Sequence, residues 1–518
     1  MDQRPALARV PRGQFLAVGF LIAVVALALA LALLDRPRLL INSDMLIPTD
    51  FVWDLLHNGA AWTGFQISRV PSFFPDLAIQ FPVQGLGGSW RLAFAAFVFI
   101  DLLGLLGMGS WLASRIARAD FAGAALCFVA LAAIVVATGL ATLPPPSADM
   151  GWATPFDFSG AFAPWLFAFM PDNHGGPFVL TLIAVALAAG TPMRPTWPRL
   201  AAIAALTWAA MLSDMLTLLD LLLPLTAALI GTWRRGGSAG GAAGRILAAS
   251  WLGGVLGLAC SDLLNRARVP IPFVPAIPQH LALFLADLGR YPELPAAIAV
   301  LAILLGLEFR ATRAETPFRQ FWFRFVGTGA LLCLILTATF YEDLWGYRYG
   351  EPVLWWAVIL LAARLAPAVG RTAARYRYLI PAGAAIVLIA TAAAFHLPNL
   401  FTAHSPLVSC LRKANLRAGL ANYWLSRETR ALSDWGLQVE QIAANGAPFF
   451  WINDRFWYSH DRQDKAKPAG FQFIVMARLD ANAVTRAYGP PDRVLACGPT
   501  TIRVFADPAR LQAGLADR

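Results

Sequence analysis

Charged residues are scarce in this chain. Asp, Glu, Lys and Arg make up 14% of its 518 residues, whereas apolar residues make up 58%. Soluble domains carry about a quarter charged residues, so the composition excludes a soluble globular protein. Cysteine and histidine are also few, with 5 and 6 copies. They form no C-x-x-C or histidine-rich spacing, so nothing in the sequence indicates a metal site of that kind.

Long apolar runs dominate instead. The clearest are Phe15–Leu34 and Phe121–Leu143, each close to the roughly 20 residues that an α-helix needs to cross about 30 Å of hydrocarbon. The sequence therefore predicts an α-helical polytopic membrane protein with about eleven transmembrane helices. The other predicted spans are Leu92–Leu112, Phe178–Gly190, Leu200–Leu212, Met215–Trp233, Ile246–Asp262, Leu294–Leu307, Phe325–Tyr341, Val353–Ala363 and Leu379–His396.

Basic residues predict the orientation. The first apolar run is longer than the core of a typical signal peptide and no A-x-A-like site follows it, so we expect a retained span. Alternate connections, beginning with the N-terminal tail, are short and arginine-rich and include a flexible GGSAGGAAG stretch. The positive-inside rule places these in the cytoplasm. We therefore attribute most of the +10 net charge to the basic residues that orient the chain in a bacterial inner membrane. The charge does not imply a nucleic acid partner.

After His396 the composition becomes that of a soluble domain, residues 397–518, which we expect on the periplasmic side. A helical pattern runs from Leu420 to Asp434, and a second helix is predicted at Ala481–Tyr488. Strand-like runs are GLQVEQIA, APFFWIN, FQFIVMARL, RVLACG and TIRVFA. The mixed order predicts an α+β domain with helices on one face of a sheet, large enough to bury its own core.

Two cysteines, Cys410 and Cys497, fall in this outward domain. In an oxidising envelope compartment we expect them to form a disulfide. The remaining cysteines lie in apolar runs and are interpreted as small buried residues.

The connections predicted to face outward are the long ones, and long loops commonly carry function. In the first of them, Asp44 lies about ten residues beyond the first span and Asp76 follows a rigid FFP turn. Solvated or helix-capping acids are the alternative for each aspartate in this loop, Asp50 and Asp54 included. The three long loops are Asp35–Arg91, Pro144–Gly176 and Leu263–Glu293.

Three further motifs interrupt apolar sequence. In SDMLTLLDLLLP, Asp214 is expected at the outer mouth of the bundle, and an ionisable group at membrane depth is a functional hypothesis by default. Asp220 is interpreted as a buried structural partner. In PDNHGGP, His174 either binds an anionic or hydroxyl ligand or belongs to a helix cap. In YEDLWGYRYGEP, Arg348 and Tyr349 either bind phosphate or anchor the aromatic belt.

Carboxylates, a glycine-flanked histidine and an arginine at one membrane surface suit chemistry on a lipid phosphate. A carboxylate would act as general base on an acceptor hydroxyl, while arginine stabilises charge on the departing phosphate.

The chain resembles the membrane glycosyltransferases of the C type, which use polyprenyl-phosphate sugars. It is closest to uncharacterised bacterial polytopic members of that superfamily. The NSD, FFPD, SDML, NHGG and RY elements and the outward C-terminal domain carry the resemblance. It implies that Asp44 is the base and that Arg348 contacts the lipid phosphate. The full set of predicted residues is Asp44, Asp76 and Asp214 as catalytic, Asp50 as secondary, and Arg348, Tyr349, His174 and Arg69 as donor-binding.

We therefore expect a glycosyltransferase that moves a sugar from a polyprenyl-phosphate donor to a glycan, lipid or protein acceptor on the outer side. Membrane lipids are the other partner, and a magnesium or manganese cofactor is left open. The alternatives are a transporter or flippase of a lipid-linked substrate and a non-catalytic envelope scaffold. Scarce charge at mid-membrane depth and no internal repeat argue against transport.

Overall fold

The structure is a computed structural model. Arg69 and most of the predicted span Leu379–His396 lie outside the residues that it describes. So do most of the predicted loop Pro144–Gly176 and part of the loop Leu263–Glu293. The described residues are 12–67, 70–117, 121–141, 143, 147–149, 174–189, 195–234, 237–264, 277–290, 293–312, 317–341, 344–375, 383, 386 and 398–516.

Most of the chain before residue 376 is helical, and nearly every predicted span coincides with a helix. Runs of Leu, Ala, Val and Phe satisfy their backbone groups internally as helices, which is what a bilayer requires. Besides short helical segments such as Pro37–Leu40, Phe73–Leu77 and Leu218–Leu222, the helices are α1 Arg12–Leu34, α2 Ser43–Leu56, α3 Ala78–Gly85, α4 Trp90–Ala117, α5 Phe121–Ala141, α6 Gly175–Ala189, α7 Trp197–Ser213, α8 Leu223–Arg234, α9 Gly237–Leu264, α10 Ile277–Arg290, α11 Glu293–Thr312, α12 Pro317–Thr339 and α13 Glu351–Arg375.

Within the described ranges, six helices are long and apolar enough to cross a membrane. Two shorter apolar segments, Gly175–Ala189 and Ile298–Leu307, accompany them. The protein is thus a multi-pass helical membrane protein, and the number eleven stays a prediction. The six segments are Phe15–Leu34, Trp90–Ala117, Phe121–Ala141, Gly237–Leu264, Gln320–Thr339 and Gly346–Arg371.

Small residues let neighbouring helices approach closely. A Cβ added at Gly253 of α9 would lie 2.2 Å from the carbonyl oxygen of Ala204 on α7, and one added at Gly257 would lie 2.7 Å from that of Trp208. Glycine at these two positions therefore allows the α7 and α9 backbones to touch, as in other membrane helix pairs.

The sequence predicts a flexible loop for the GGSAGGAAG stretch, whereas its residues from Gly237 onward form the first turns of α9. A Cβ at Gly244 would lie 3.0 Å from the ring of Trp233. Packing of that indole against the glycines compensates for their low helix propensity.

The C-terminal domain is built on a five-stranded sheet in the order β2-β1-β3-β5-β4. The strands β1, β2 and β3 are parallel, and β4 and β5 are antiparallel to their neighbours. The elements are α14 Pro406–Lys413, β1 Ala418–Asn422, α15 Tyr423–Leu432, β2 Gln438–Ile442, β3 Phe473–Val475, α16 Ala481–Tyr488, β4 Arg493–Cys497, β5 Thr500–Val504 and α17 Pro508–Ala516.

Three details of the predicted domain differ from the structure. The pattern from Leu420 begins as strand β1 and becomes helical only at Tyr423. The APFFWIN run is irregular and makes an isolated bridge at Pro448 instead of a strand. The sheet is covered on both faces, because Ile474 packs in one core with Val484 whereas its neighbour Phe473 packs in the other core. Alternating side chains of a strand point to opposite faces.

The Cys410–Cys497 disulfide is present and joins α14 to β4, with Cα atoms 5.9 Å apart. It closes a loop with a sequence separation of 87.

A buried ion-pair network docks the C-terminal domain onto α2. Arg427 of α15 lies 3.1 Å from Asp50, and Arg430 lies 2.7 Å from Asp50 and 3.0 Å from Asp54. Arg462 pairs with Asp54 and, at 2.6 Å, with Glu440. Because every member is almost fully buried, these pairs fix how the first long loop and the domain sit together.

Candidate functional site

Asp44 lies in the first turn of α2. Asn42 caps this helix by accepting a hydrogen bond of 3.1 Å from the backbone N–H of Met45. The cap fixes where the helix begins and so sets the direction of the next side chains. The Asp44 carboxylate is buried at 6% exposure. Its Oδ2 accepts a hydrogen bond of 2.9 Å from Nη1 of Arg348, and its Oδ1 accepts one from the hydroxyl of Tyr423.

Arg348 and Tyr349 belong to a 3-10 segment, Leu344–Gly350, between α12 and α13. Nη2 of Arg348 donates to the Tyr349 hydroxyl at 3.2 Å, and the guanidinium lies 5.1 Å from the centre of the Tyr349 ring. The arginine is therefore held between a carboxylate and an aromatic face, both of which favour a planar cation.

His174 and Asp214 form a pair. The imidazole Nδ1 lies 2.6 Å from Oδ2 of Asp214, and the side chains are 12% and 2% exposed. The pairing follows from the helix ends: α6 begins one residue after His174, and α7 ends one residue before Asp214. The backbone N–H of Leu216 donates to Oδ1 of Asp214 at 2.9 Å. Both oxygens of this carboxylate are thus positioned by hydrogen bonds.

Tyr349 connects the two pairs. Its ring centre lies 5.6 Å from that of His174, and its hydroxyl accepts from Arg348. A continuous cluster therefore runs from Asp44 through Arg348, Tyr349 and His174 to Asp214. It gathers residues from four separate segments of the chain, and we call these five residues the central cluster.

Asp76 lies beside the His174 motif. A Cβ added at Gly176 would come within 2.3 Å of Oδ1 of Asp76, so glycine at this position leaves room for the carboxylate. The backbone N–H of Phe74 donates to Oγ of Ser213 at 2.8 Å. The FFPD, NHGG and SDML motifs thus meet in space. Asp76 is 1% exposed, which leaves it less accessible than His174.

Two more acidic residues considered in the sequence have partners outside the central cluster. Asp50 belongs to the ion-pair network with Arg427 and Arg430. Asp220 accepts a hydrogen bond of 3.3 Å from the Cys333 thiol.

Tyr423 is a site residue that the sequence did not indicate. Burial raises the pKa of its hydroxyl well above the usual range, and the Asp44 carboxylate adds to the shift. The phenol therefore stays protonated and donates to Asp44. Nothing local to the start of α15 reveals a partner so far away in the chain.

Within the described residues, no group of three or more His, Cys, Asp or Glu is placed to hold a metal ion. The central carboxylates fit a divalent cation poorly, since Asp44 is paired with Arg348 and Asp214 with His174.

No known family and no curated protein matches the chain in sequence comparisons. Its chemistry therefore has to be inferred from the central cluster. The cluster offers a cation for an anionic group, two carboxylates as proton acceptors and an imidazole for proton exchange.

Proposed function

We propose that the protein is a membrane glycosyltransferase that moves a sugar from a polyprenyl-phosphate donor to an acceptor hydroxyl. The observation that carries this proposal is the ion pair between Arg348 and Asp44, 2.9 Å long, at one end of a bundle of apolar helices. The pair combines a phosphate-suited cation with a general base. An isoprenoid carrier dissolved in the bilayer would bring its phosphate to this depth.

In the proposed reaction the donor phosphate displaces the Asp44 carboxylate from Arg348. Guanidinium matches phosphate oxygens with two parallel hydrogen bonds. The exchange frees Oδ2 of Asp44 to accept the proton of the acceptor hydroxyl. The base then becomes available only when a donor is bound.

The reaction forms one bond at C1 of the sugar and breaks another. The acceptor oxygen forms a bond to C1 of the sugar and loses its proton to Asp44. The bond between C1 and the phosphate oxygen breaks, and its electron pair stays on the phosphate. Arg348 stabilises the charge that develops there.

The experiment uses purified protein in lipid vesicles and a radiolabelled polyprenyl-phosphate sugar. Asp44→Asn keeps the size of the side chain and is expected to lower transfer by about 10²–10⁴-fold. Arg348→Ala is expected to raise KM for the donor, and Arg348→Lys should not fully restore it because lysine lacks the two-pronged fork. Asp464→Asn, whose side chain is 47% exposed, and Arg493→Ala, at an exposed position, are the matched controls.

Asp76→Asn separates the candidate bases. Full activity in this variant leaves Asp44 as the base, whereas loss only at Asp76 moves the base to the FFPD motif. Wild-type transfer in both variants would refute the carboxylate mechanism. A wild-type protein that never consumes the donor, but carries it intact across the vesicle membrane, would identify a transporter instead.

A further inference from the structure

We propose that His174, held by Asp214, is the general acid that protonates the departing lipid phosphate. This inference rests on the proposed function, and it gives the second pair of the central cluster a role of its own. The carrying observation is the 2.6 Å contact between Nδ1 of His174 and Oδ2 of Asp214.

The contact with Asp214 determines which nitrogen of the His174 imidazole can react. A carboxylate at Nδ1 fixes the proton on that nitrogen and stabilises the doubly protonated imidazolium. The reacting proton is then the one on Nε2, at the other edge of the ring. Asp214 cannot easily turn away, since the Leu216 N–H holds its second oxygen at 2.9 Å. Asp214 is thus a positioning residue, and His174 is the residue that exchanges the proton.

The location of the ring matches this role. His174 lies 5.6 Å from Tyr349 between ring centres, and Tyr349 in turn contacts the guanidinium of Arg348. Tyr349 thus contacts both the imidazole and the guanidinium, so a phosphate bound by Arg348 would lie in the same cluster as the imidazole. The His174 side chain is 12% exposed, which leaves it accessible to a ligand, whereas the Asp214 side chain is only 2% exposed.

The proton transfers in this reaction balance. When the bond between C1 and the phosphate oxygen breaks, that oxygen receives the electron pair and takes the proton from Nε2. The acceptor hydroxyl delivers its own proton to Asp44 as it bonds to C1. One proton enters the protein at Asp44 and one leaves it at His174, and exchange with water after product release restores both. No oxidant, reductant or further reactant is needed.

Several ionisable groups face His174 and enter its pH dependence. Asp214, from the junction after α7, is in contact, and Tyr349 approaches from the 3-10 segment with Arg348 beyond it. Asp76 lies against Gly176, two residues along the chain. Asp220 also interacts electrostatically with His174.

The test measures steady-state transfer and donor binding in lipid nanodiscs. His174→Gln is expected to lower kcat by about 10²–10⁴-fold while donor affinity changes by less than about threefold. The alkaline limb of the wild-type kcat/KM profile against pH should disappear in His174→Gln and should move to lower pH in Asp214→Asn. His280→Gln is the matched control, because the described hydrogen bond of His280 is to the backbone oxygen of Thr339, outside the central cluster.

The outcomes separate the two proposals. A wild-type protein that consumes no donor overturns both. An active wild type with an unimpaired His174→Gln overturns the acid alone and leaves the glycosyltransferase proposal standing. Loss of donor affinity with unchanged kcat would make His174 a phosphate ligand, and a slower enzyme that keeps its alkaline limb would make it structural. Both results overturn the acid. His174→Asn, with a thermal unfolding measurement, guards against a variant that merely misfolds.

Discussion

Tyr423 donates a hydrogen bond to Asp44 across a sequence separation of 379. One residue begins the first helix after strand β1 of the C-terminal domain, and the other lies just after the first transmembrane helix. The C-terminal domain is therefore part of the candidate site and not an appendage. Its second contribution is the adjacent pair of arginines, Arg427 and Arg430, that holds α2 in place.

The first prediction concerns this contact. Tyr423→Phe should keep the ring packing and lose only the donor to a carboxylate, a hydrogen bond typically worth about 1.5–3 kcal/mol. We expect slower transfer, because the Asp44 carboxylate then loses one of the hydrogen bonds that position it. The measurement is the vesicle assay with a thermal unfolding curve. Tyr458→Phe, at a buried tyrosine bonded to Gln441 and Phe449 carbonyls, is the control and should affect stability without a selective effect on transfer.

The second prediction concerns the ion-pair network. Burial alone would raise the pKa of Asp54, but Arg462 and Arg430 outweigh it and lower the pKa. Asp54→Asn leaves two buried arginines short of a partner, and breaking such a pair costs about 3–5 kcal/mol. We expect lower thermal stability and faster proteolysis of the C-terminal domain. The exposed pair Lys467–Asp464 provides the control: Lys467→Ala should leave both measurements unchanged.

Local pattern in the sequence predicted most helices and the site motifs, and it missed how they meet. Helix Ala481–Tyr488 is confirmed with the predicted bounds, since its period and its Asp480 cap are local. The pairing of His174 with Asp214 joins residues 40 positions apart, and no periodicity specifies it. The ion-pair network has one feature that is visible in the sequence. Asp50 and Asp54 are four residues apart on α2, and Arg427 and Arg430 are three residues apart on α15, so each pair lies on one face of its helix.

The sheet also shows what local sequence pattern does not predict. The sequence predicted helices on one face, because alternation within single strands does not say what covers the second face. Strand β3, with Phe473, Ile474 and Val475 all buried, reads as continuous apolar sequence. Such a run is typical of a strand covered on both sides.

The third prediction concerns pH. Burial raises the pKa of Glu428 to about 8, against a usual value of 4.5. The folded protein therefore keeps this proton where the unfolded chain has released it. Stability from this group is complete below pH 4.5 and is lost as pH rises towards 8, by up to about 1.4 kcal/mol per pH unit. Glu428→Gln should flatten the fall of melting temperature between pH 5 and 8. An unchanged slope would contradict the assignment, and Asp507→Asn, at an exposed position, is the control.

The fourth prediction concerns the disulfide between Cys410 and Cys497. In the chain-entropy model, a loop of this length contributes about 4–5 kcal/mol. The double variant Cys410→Ser/Cys497→Ser should unfold at lower temperature, and reduction of the wild type should reproduce the loss. Cys260→Ser, a free cysteine of intermediate exposure, is the control. Peptide mapping that finds both thiols free in protein from its native membrane would contradict the prediction.

The last prediction is the topology. The backbone N–H of Asn399 donates to Asp35 at 3.1 Å, and that of Gln66 donates to Asn453 at 2.9 Å. We therefore expect the first long loop and the C-terminal domain on the same side of the membrane, opposite the start of α1. A chain with that arrangement crosses an odd number of times, whereas six helices in the described ranges are clear candidates. That arrangement would need at least one further crossing.

Cysteine labelling tests this arrangement in a background without free cysteines. An impermeant maleimide added to sealed cells should label Ala61→Cys and Lys467→Cys, which are both exposed. Arg234→Cys, exposed at the end of α8, should react only after the membrane is opened, because the positive-inside rule places it in the cytoplasm. Labelling of Ala61→Cys and Lys467→Cys from opposite sides would contradict the docking of the domain on α2. Labelling of all three from outside would overturn the orientation but not that docking.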